Sequence, residues 1–298
     1  MKPRAQARLL PDGRRLHMSD GPIDIVLQAF GAEEEIQLAY RAAANRFITV
    51  LDELCSELPL LRKRARSGSR EPNGLIARRM LAAVMPYSQR NFITPMAAVA
   101  GAVAEEILIS MTLSANLRRA YVNDGGDIAL HIGAGENLVV GMVERPDRPS
   151  LFGKTTLDSS QPVRGIATSG WRGRSFSLGI ADAVTVLAKT ASMADAAATI
   201  VANVVDIPGH PNVSRVAARE LAPDSDLGNM PVTTSVGELT RGEVDHALRR
   251  GSEYAQSLIA AQLINAAAIN LQGTICVAPL NGFFQPTASS GERTSIYA

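Results

Sequence analysis

The sequence predicts an α+β fold, a mixed and largely antiparallel sheet with packed helices, from three observations. Turn signals separate short β-branched runs near the amino terminus, a long stretch of helical periodicity follows them, and later strands and helices show no regular alternation. With 46% hydrophobic and 20% charged residues, the 298-residue chain has enough apolar side chain for a sizeable core. No internal repeat is visible.

The amino-terminal third carries strand signals followed by helix signals. The turns Pro11-Asp12-Gly13 and Asp20-Gly21-Pro22 predict two or three antiparallel strands. Apolar residues at helical spacing predict a long amphipathic helix over residues 33–63 with a break near Pro59. A second helix is predicted over residues 74–85.

The rest of the chain alternates irregularly between the two element types. Thr94-Pro95, a hydroxyl cap followed by proline, predicts the start of a third helix. Later segments are predicted as strands at 121–133 (with a glycine-rich break), 138–143, 165–168, 182–188 and 273–279, and as helices at 193–205 and 241–272. Residues 206–231 are predicted to be irregular and 286–298 to be a loose tail.

We expect one unit over residues 1–298, built as two intimate lobes. It comprises strands and helices (1–93), a motif-bearing core (94–205) and a carboxyl-terminal helical part (206–285) before the tail. The alanine-rich segment 254–270 is apolar on much of its predicted helical surface, and it suggests a homodimer.

Composition excludes several partners. Thirty basic and 29 acidic residues give a net charge of +1, and aromatic residues make up 4%, so neither nucleic acid nor an anionic membrane is expected as a partner. Residues 1–17 lack an apolar segment of the kind that export signals contain, so we expect a cytoplasmic location. Cys55 and Cys276 are predicted to be buried thiols.

Common catalytic motifs are absent from the sequence, and three other segments remain as candidate binding or catalytic sites. The sequence contains no dinucleotide fingerprint, phosphate-binding P-loop, zinc-protease motif, paired CxxC or serine-hydrolase elbow. A basic run from Arg62 to Arg70 suggests an anion patch, although cations at a helix carboxyl end also complement the helix dipole.

The first segment is Asn123-Asp124-Gly125-Gly126-Asp127, between two predicted strands. Two glycines allow a phosphate or a ring to approach the backbone, whose N–H groups can donate to an anion. The alternative is a plain hairpin turn, because Asp-Gly is a common hairpin signal.

The second segment places Asp195 and Thr199 four residues apart near the start of a predicted helix. A carboxylate and a hydroxyl on one helix face suit magnesium, which keeps coordination positions for substrate phosphate. The alternative is that Ser192 and Asp195 merely cap that helix.

The third segment, residues 97–106, is rich in alanine and glycine. It would let a flat ligand or another backbone come close, with Glu106 facing that contact. Tight helix packing explains the small residues equally well.

In this order the three segments resemble the ApbE family, FAD:protein FMN transferases once called thiamine biosynthesis lipoproteins, and most closely a cytoplasmic ApbE-like branch without an assigned activity. The resemblance covers roughly residues 94–205. Val99-Ala100-Gly101-Ala102 is similar to the family's Ile-Ala-Lys-Gly, and Asn123 to Ile128 is similar to its Asn-x-Gly-Gly-Asp-Ile. Ala194-Asp195 with Ala198-Thr199 is similar to its Ala-Asp-x-x-Ala-Thr.

The resemblance implies a magnesium-dependent transferase that binds FAD or FMN and passes FMN to an acceptor protein. It implies three groups of site residues: metal ligands Ala100 (through its carbonyl), Asp195 and Thr199; cofactor contacts Glu106, Gly125, Gly126, Asp127, Ser169 and Gly170; and catalytic residues Asp127 and Asp195. Magnesium in such a site would neutralise charge on the departing AMP.

Two departures from the family pattern leave other functions open. Gly101 replaces the family's lysine, and the stretch between Gly170 and Asp182 is too short for its His-Ile-x-Asp-Pro segment. Arg164, Arg172 and Arg174 are therefore candidates to bind another small anionic metabolite. The third alternative is a non-catalytic binding or assembly protein on the same scaffold.

Overall fold

The structure is a computed structural model that describes residues 4–143, 151–279 and 283–286. Helices and antiparallel sheets are mixed along the chain, which confirms the α+β class. The chain divides into two compact units. The first comprises Met1–Leu138, Leu157–Ala167 and Ala188–Ala196, and the second comprises Val139–Thr156, Thr168–Leu187 and Ala197–Ala298.

Strands of the first unit form an antiparallel array in chain order. They are β1 (Gln6–Leu9), β2 (Leu16–Asp20), β3 (Ile23–Phe30), β4 (Arg119–Asp124) and β5 (Asp127–Ile132), and β5 also pairs with the start of β8 (Gly165–Ser169). The three amino-terminal strands confirm the prediction from the turn signals. Alternating burial along β2 and β4 shows that one face of this array is directed towards the core.

Helices of the first unit are α1 (Glu33–Leu61), α2 (Leu75–Val84) and α3 (Val99–Ser114), with 3-10 turns at Met85–Tyr87 and Pro95–Ala98. The predicted break at Pro59 is wrong, because this proline lies in the last turn of α1 and the helix reaches Leu61. Helix α1 packs on α3, and Phe47, Ile107 and Met111 are fully buried.

One sheet of the second unit contains β6 (Asn137–Val143), β7 (Leu151–Asp158) and β14 (Gln285–Pro286), although the first two residues of β6 and the last two of β7 belong to the first unit. A second sheet pairs β10 (Val213–Ala217) with β11 (Pro231–Val236). Strands β9 (Ala183–Ala188), β12 (Ala266–Leu271) and β13 (Thr274–Ala278) pair antiparallel. Helix α4 (Ala191–Val204) begins in the first unit and continues into the second. The short α5 (Ala218–Leu221) and the long α6 (Arg241–Ala260) complete the helices among the described residues.

Several predicted elements differ from the structure. The segment 206–231 is not wholly irregular, because it holds β10 and α5. The helix predicted over 241–272 ends at Ala260, and the alanine-rich residues 266–271 form the fully buried strand β12. Of the predicted dimer surface over residues 254–270, only residues 254–260 are therefore helical, and the homodimer stays a prediction. Strand β7 was not predicted.

Cys55 is exposed on α1, which corrects the prediction of a buried thiol, whereas Cys276 is buried as predicted. Leu54, immediately before Cys55, occupies the core-facing stripe of α1, so the next side chain points away from the core. The predicted loose tail lies, beyond Pro286, outside the described residues.

One stretch, Pro95–Ser114, is long and apolar enough to cross a membrane by length and composition. Half of its most apolar window is buried, and it carries Glu105 and Glu106, both paired with Arg79. A buried core helix passes the same test, so this helix is weak evidence for a membrane span.

Candidate functional site

Asp195 joins the amino-terminal ends of two helices. It lies in the second turn of α4, and its Oδ2 accepts a hydrogen bond of 3.0 Å from the Gly101 N–H in the first turn of α3. The Ala100 N–H also faces this carboxylate and opposes the rise of its pKa. The N-cap residue of α3 is Ala98, whose side chain cannot accept a hydrogen bond from the first turn. Asp195 therefore caps a neighbouring helix.

The start of α4 has its own cap, which argues against the interpretation that Asp195 caps its own helix. The Thr190 hydroxyl accepts a hydrogen bond of 3.3 Å from the Met193 N–H. The Ser192 N–H donates to Glu105 Oε1 of α3 at 2.6 Å. Helices α3 and α4 thus exchange carboxylate caps: Asp195 serves α3 and Glu105 serves α4.

Gly101 is required by the close approach of these two helix ends. A Cβ at this position would lie 2.3 Å from the Ala191 carbonyl oxygen and 2.7 Å from the Ser192 nitrogen. Because both atoms belong to the backbone, no side chain can be accommodated without moving α4. The lysine of the ApbE motif is therefore sterically excluded at residue 101 in this arrangement.

A second carboxylate, that of Asp124, influences Asp195. Burial raises the pKa of Asp195 to about 7, and the negative charge of Asp124 acts in the same direction. Asp124 is buried at the end of β4, where its Oδ1 accepts a hydrogen bond of 3.4 Å from the Asp24 N–H. The charge of Asp124 therefore makes ionisation of Asp195 less favourable.

Sequence reasoning did not single out Asp124 as a site residue, although a signal was present. The core-facing positions of β4 are occupied by Ala120, Val122 and Asp124, so a carboxylate stands where the alternation predicts an apolar side chain. A buried carboxylate must be hydrogen-bonded or neutralised by a cation, so its presence at such a position marks Asp124 as a candidate site residue.

The glycine pair at residues 125 and 126 forms the predicted hairpin turn. Asp124 and Asp127 are cross-strand partners, and the glycines between them have φ of +65° and +116°. The Gly126 N–H donates to Asn123 Oδ1 at 2.8 Å, so this amide is already used within the turn. Within the described part of the chain, no atom lies within 4 Å of a Cβ placed on Gly126, which leaves space above it.

Asp127 is directly opposite Asp124 in the β4–β5 ladder, so both side chains project from the same face of the sheet. Thr199 follows Asp195 by one turn of α4 and is partly exposed. The structure therefore brings Ala100 and Asp195 into contact, and the helix spacing places Thr199 on the Asp195 side of α4.

Glu106 is part of an ion-pair network within the first unit. Its Oε1 lies 2.7 Å from Arg46 Nε, and its Oε2 lies 3.2 Å from an Arg79 nitrogen. Arg46 also binds Glu53 at 2.7 Å. Both Glu106 oxygens are thus engaged by arginines, as a role in helix packing would require.

The candidate anion-binding arginines differ in their surroundings. Arg164 donates to the carbonyl oxygens of Ser159, Gln161 and Val163 in its own loop. Arg172 is paired with Asp182 at 2.6 Å, whereas Arg174 is exposed.

Asp182 organises the turn that carries Arg172 in the second unit. This buried carboxylate accepts hydrogen bonds from Trp171 Nε1 at 3.1 Å and from the Gln272 N–H at 2.6 Å. Gly170 is adjacent, and a Cβ there would lie 2.5 Å from the Asp182 carbonyl oxygen. The neighbouring Ser169 ends β8 and is partly exposed. This turn is therefore built around Asp182.

Helix spacing puts the Asp195 carboxylate and the Thr199 hydroxyl on one side of α4. Among the described residues no three His, Cys, Asp or Glu side chains converge as a metal cage. Magnesium is usually held by one or two carboxylates together with substrate phosphate and water, so Asp195 with a neutral oxygen donor matches its needs. A carboxylate has about four lone-pair positions, and among the described hydrogen bonds the Gly101 N–H occupies one of them.

Comparison with known proteins is consistent with this motif arrangement. The sequence profile of a family described as "AbpE bacteria" matches residues 7–277. A UPF0280 protein of Methanopyrus kandleri is 40% identical over 129 residues, which are 43% of this chain and 48% of that protein. UPF0280 proteins of Methanococcus vannielii (40% over 119 residues; 39% and 47% covered) and Archaeoglobus fulgidus (34% over 136 residues; 45% and 53% covered) are also similar.

The chain spans about half the length of these curated relatives. The family profile covers far more, since it extends from β1 to β13. On this evidence the chain belongs to the ApbE-related family described as "AbpE bacteria".

Proposed function

We propose that this protein is a magnesium-dependent enzyme that binds a flavin nucleotide and acts on its phosphate groups. The observation that carries the proposal is the Asp195 carboxylate, held at the amino terminus of α3 and coupled to the buried Asp124. A divalent cation at Asp195 would offset the charge of its carboxylate and the charge of the buried Asp124. Membership of an ApbE-related family supports the flavin part of the proposal.

The metal would be held by Asp195, by Thr199 one turn further along α4 and by the Ala100 carbonyl. When bound, magnesium would supply positive charge that neutralises the phosphate groups of the nucleotide. The hydrogen bond from the Gly101 N–H orients Asp195, so less side-chain entropy would be lost when a metal binds.

The Gly125-Gly126 turn is proposed to lie against the nucleotide. The open space above Gly126 leaves room for a phosphate or a sugar, and Asp127 lies at the end of the same turn. The Gly126 amide would need to exchange Asn123 for the ligand before it could donate to a phosphate.

The alternative small-anion site has weaker support. Arg172 is committed to Asp182, and Arg164 is committed to backbone carbonyls, so Arg174 is the exposed guanidinium among the three candidates. A bidentate arginine clamp would require these existing contacts to break.

The proposal is tested by incubating the full chain with FAD, with and without magnesium, and measuring the release of AMP and FMN by chromatography. We expect magnesium-dependent release in the wild type and loss of release in Asp195→Asn. The asparagine variant is informative because it keeps an oxygen that accepts the Gly101 hydrogen bond while it removes the metal-binding charge.

Thr199→Val provides the second test, with Thr112→Val as its matched control. Thr112 lies in α3, and its hydroxyl bonds to the Leu108 carbonyl of its own helix. We expect magnesium to stimulate AMP release less in Thr199→Val than in the wild type. In Thr112→Val the stimulation should be unchanged. Absence of both FAD binding and AMP release from a folded wild type would refute the flavin proposal.

A further inference from the structure

A cleft at the carboxyl-terminal end of α1 is lined by none of the residues proposed to bind magnesium or the flavin nucleotide. It has a volume of about 380 Å³ and is lined by Pro59, Leu60, Lys63, Arg64, Ala65, Ser69, Arg70, Pro72, Leu81 and Pro95. All of these residues belong to the first unit. Three cations and one hydroxyl therefore face a cavity whose remaining walls are apolar.

The cations around this cleft lack anionic partners within the described part of the chain. Five basic residues occur within nine positions: Arg62, Lys63, Arg64, Arg66 and Arg70. Their charged groups form no salt bridge with any described carboxylate. Because like charges this close repel each other, a bound anion would stabilise the segment.

The helix-dipole explanation does not account for this cluster. Basic residues are absent from the last turn of α1, which ends at Leu61. The final carbonyl oxygens of the helix, those of Leu58 and Leu60, accept hydrogen bonds from the backbone N–H groups of Arg62 and Lys63. Among the described contacts, the side chains of Lys63 and Arg70 are therefore not needed to satisfy these carbonyl oxygens.

The cleft walls are held in place without a ligand. The Glu57 carboxylate accepts hydrogen bonds of 2.7 Å from the N–H groups of Asn73 and Gly74, and this ties the segment after residue 62 back to α1. The Ala65 N–H bonds to the Ile93 carbonyl at 2.9 Å. Arg64 stacks over the Phe92 ring at 5.7 Å. A fixed cleft reduces the entropy that binding would cost.

We propose that this cleft binds a small organic phosphate, a phosphate ester whose apolar part contacts the proline and leucine walls. Lys63, Arg64 and Arg70 would neutralise the phosphate, and the Ser69 hydroxyl is a further donor. The volume lies within the range of small-molecule pockets. A nucleic acid would require a longer basic surface with stacking aromatic residues, so a compact ligand suits the cleft better.

The test uses isothermal titration calorimetry of the full chain with phenyl phosphate and with inorganic phosphate. We expect both to bind and phenyl phosphate to bind more tightly, with affinity falling between low salt and about 0.2 M salt. Lys63→Ala and Arg70→Ala should each weaken phenyl phosphate binding by about tenfold. The double variant should lose detectable binding, whereas Arg70→Lys should retain most of it.

Arg41→Ala is the matched control, because Arg41 is an exposed arginine of α1 that does not line the cleft. It should bind phenyl phosphate as the wild type does. Leu81→Ala should weaken phenyl phosphate binding and leave inorganic phosphate binding unchanged, which separates the apolar wall from the cations.

Three results would overturn the proposal. They are unchanged binding in the double variant when its circular dichroism is native, an equal loss of affinity in Arg41→Ala, and no binding of either phosphate to the wild type. Binding to vesicles that contain phosphatidylglycerol, or to a single-stranded oligonucleotide, without binding of phenyl phosphate would also overturn it and would reassign the cluster to a surface partner.

Discussion

The Asp195 carboxylate of α4 accepts the Gly101 N–H of α3 at 3.0 Å, so one aspartate closes the start of a neighbouring helix. Glu105 returns the interaction by accepting the Ser192 N–H at 2.6 Å. The two helix ends carry partial positive charge, which explains why two carboxylates are concentrated there.

Asp195→Ala and Asp195→Asn should affect stability differently in the absence of metal. The alanine variant loses the cap of α3 and should lose about 1 kcal/mol of unfolding free energy. The asparagine variant keeps an acceptor and removes a desolvated charge, so it should be at least as stable as the wild type at pH 8. Urea denaturation in the presence of a chelator measures both. Equal destabilisation of the two variants would contradict this account.

The same carboxyl predicts a pH dependence. Its folded-state pKa of about 7 lies above the ordinary value of 3.8. Between these two values the unfolded chain has released the proton and the folded chain keeps it, so stability should fall as pH rises from about 4 to about 7. Asp195→Asn should lack this contribution. A difference between wild type and variant that does not change with pH would show that the pKa is not raised.

Gly101→Ala should be strongly destabilising, because its Cβ would lie 2.3 Å from the Ala191 carbonyl oxygen. We expect a loss of about 3 kcal/mol, measured by chemical denaturation. The matched control is Gly242→Ala in the first turn of α6, where nothing lies within 4 Å of an added Cβ. That variant should gain about 0.5 kcal/mol because alanine restricts the unfolded chain. A small effect at residue 101 would mean that the helices are not in this contact.

Asp182 should control the environment of Trp171, the single tryptophan of the chain. Asp182→Ala leaves Arg172 and the Gln272 N–H without their acceptor, so it should lose about 3 kcal/mol and shift the tryptophan fluorescence. Inorganic phosphate added to the wild type should leave that fluorescence unchanged. A saturable change would favour the alternative in which Arg172 binds a small anion.

Glu243 should make α6 sensitive to acid. Its hydrogen bonds with the Thr240 N–H and hydroxyl and with His210 lower its pKa to about 2 from 4.5. A depressed carboxyl pKa contributes stability above the unfolded value, and this contribution is lost as pH falls from about 4.5 to about 2. The stability difference between wild type and Glu243→Gln should therefore be present at neutral pH and disappear near pH 2. Denaturation midpoints across this range provide the measurement, and a constant difference would contradict the prediction.

The local sequence determined the fold class and most elements. Strong signals, such as Thr94-Pro95 before α3 and Gly125-Gly126 between β4 and β5, depend on backbone preferences of a few adjacent residues. The segment 266–271 was wrongly predicted as helix because alanine favours helices, whereas its burial between β9 and β13 makes it a strand.

The motif order by itself determined which residues to inspect, including Asp195, Thr199 and the Gly125-Gly126 turn. Only the tertiary structure decided what their neighbours are. The cap that Asp195 supplies to α3, the steric need for Gly101 and the coupling to Asp124 join residues more than 70 positions apart. Such contacts depend on how helices and strands pack, and no periodicity within a single segment encodes them.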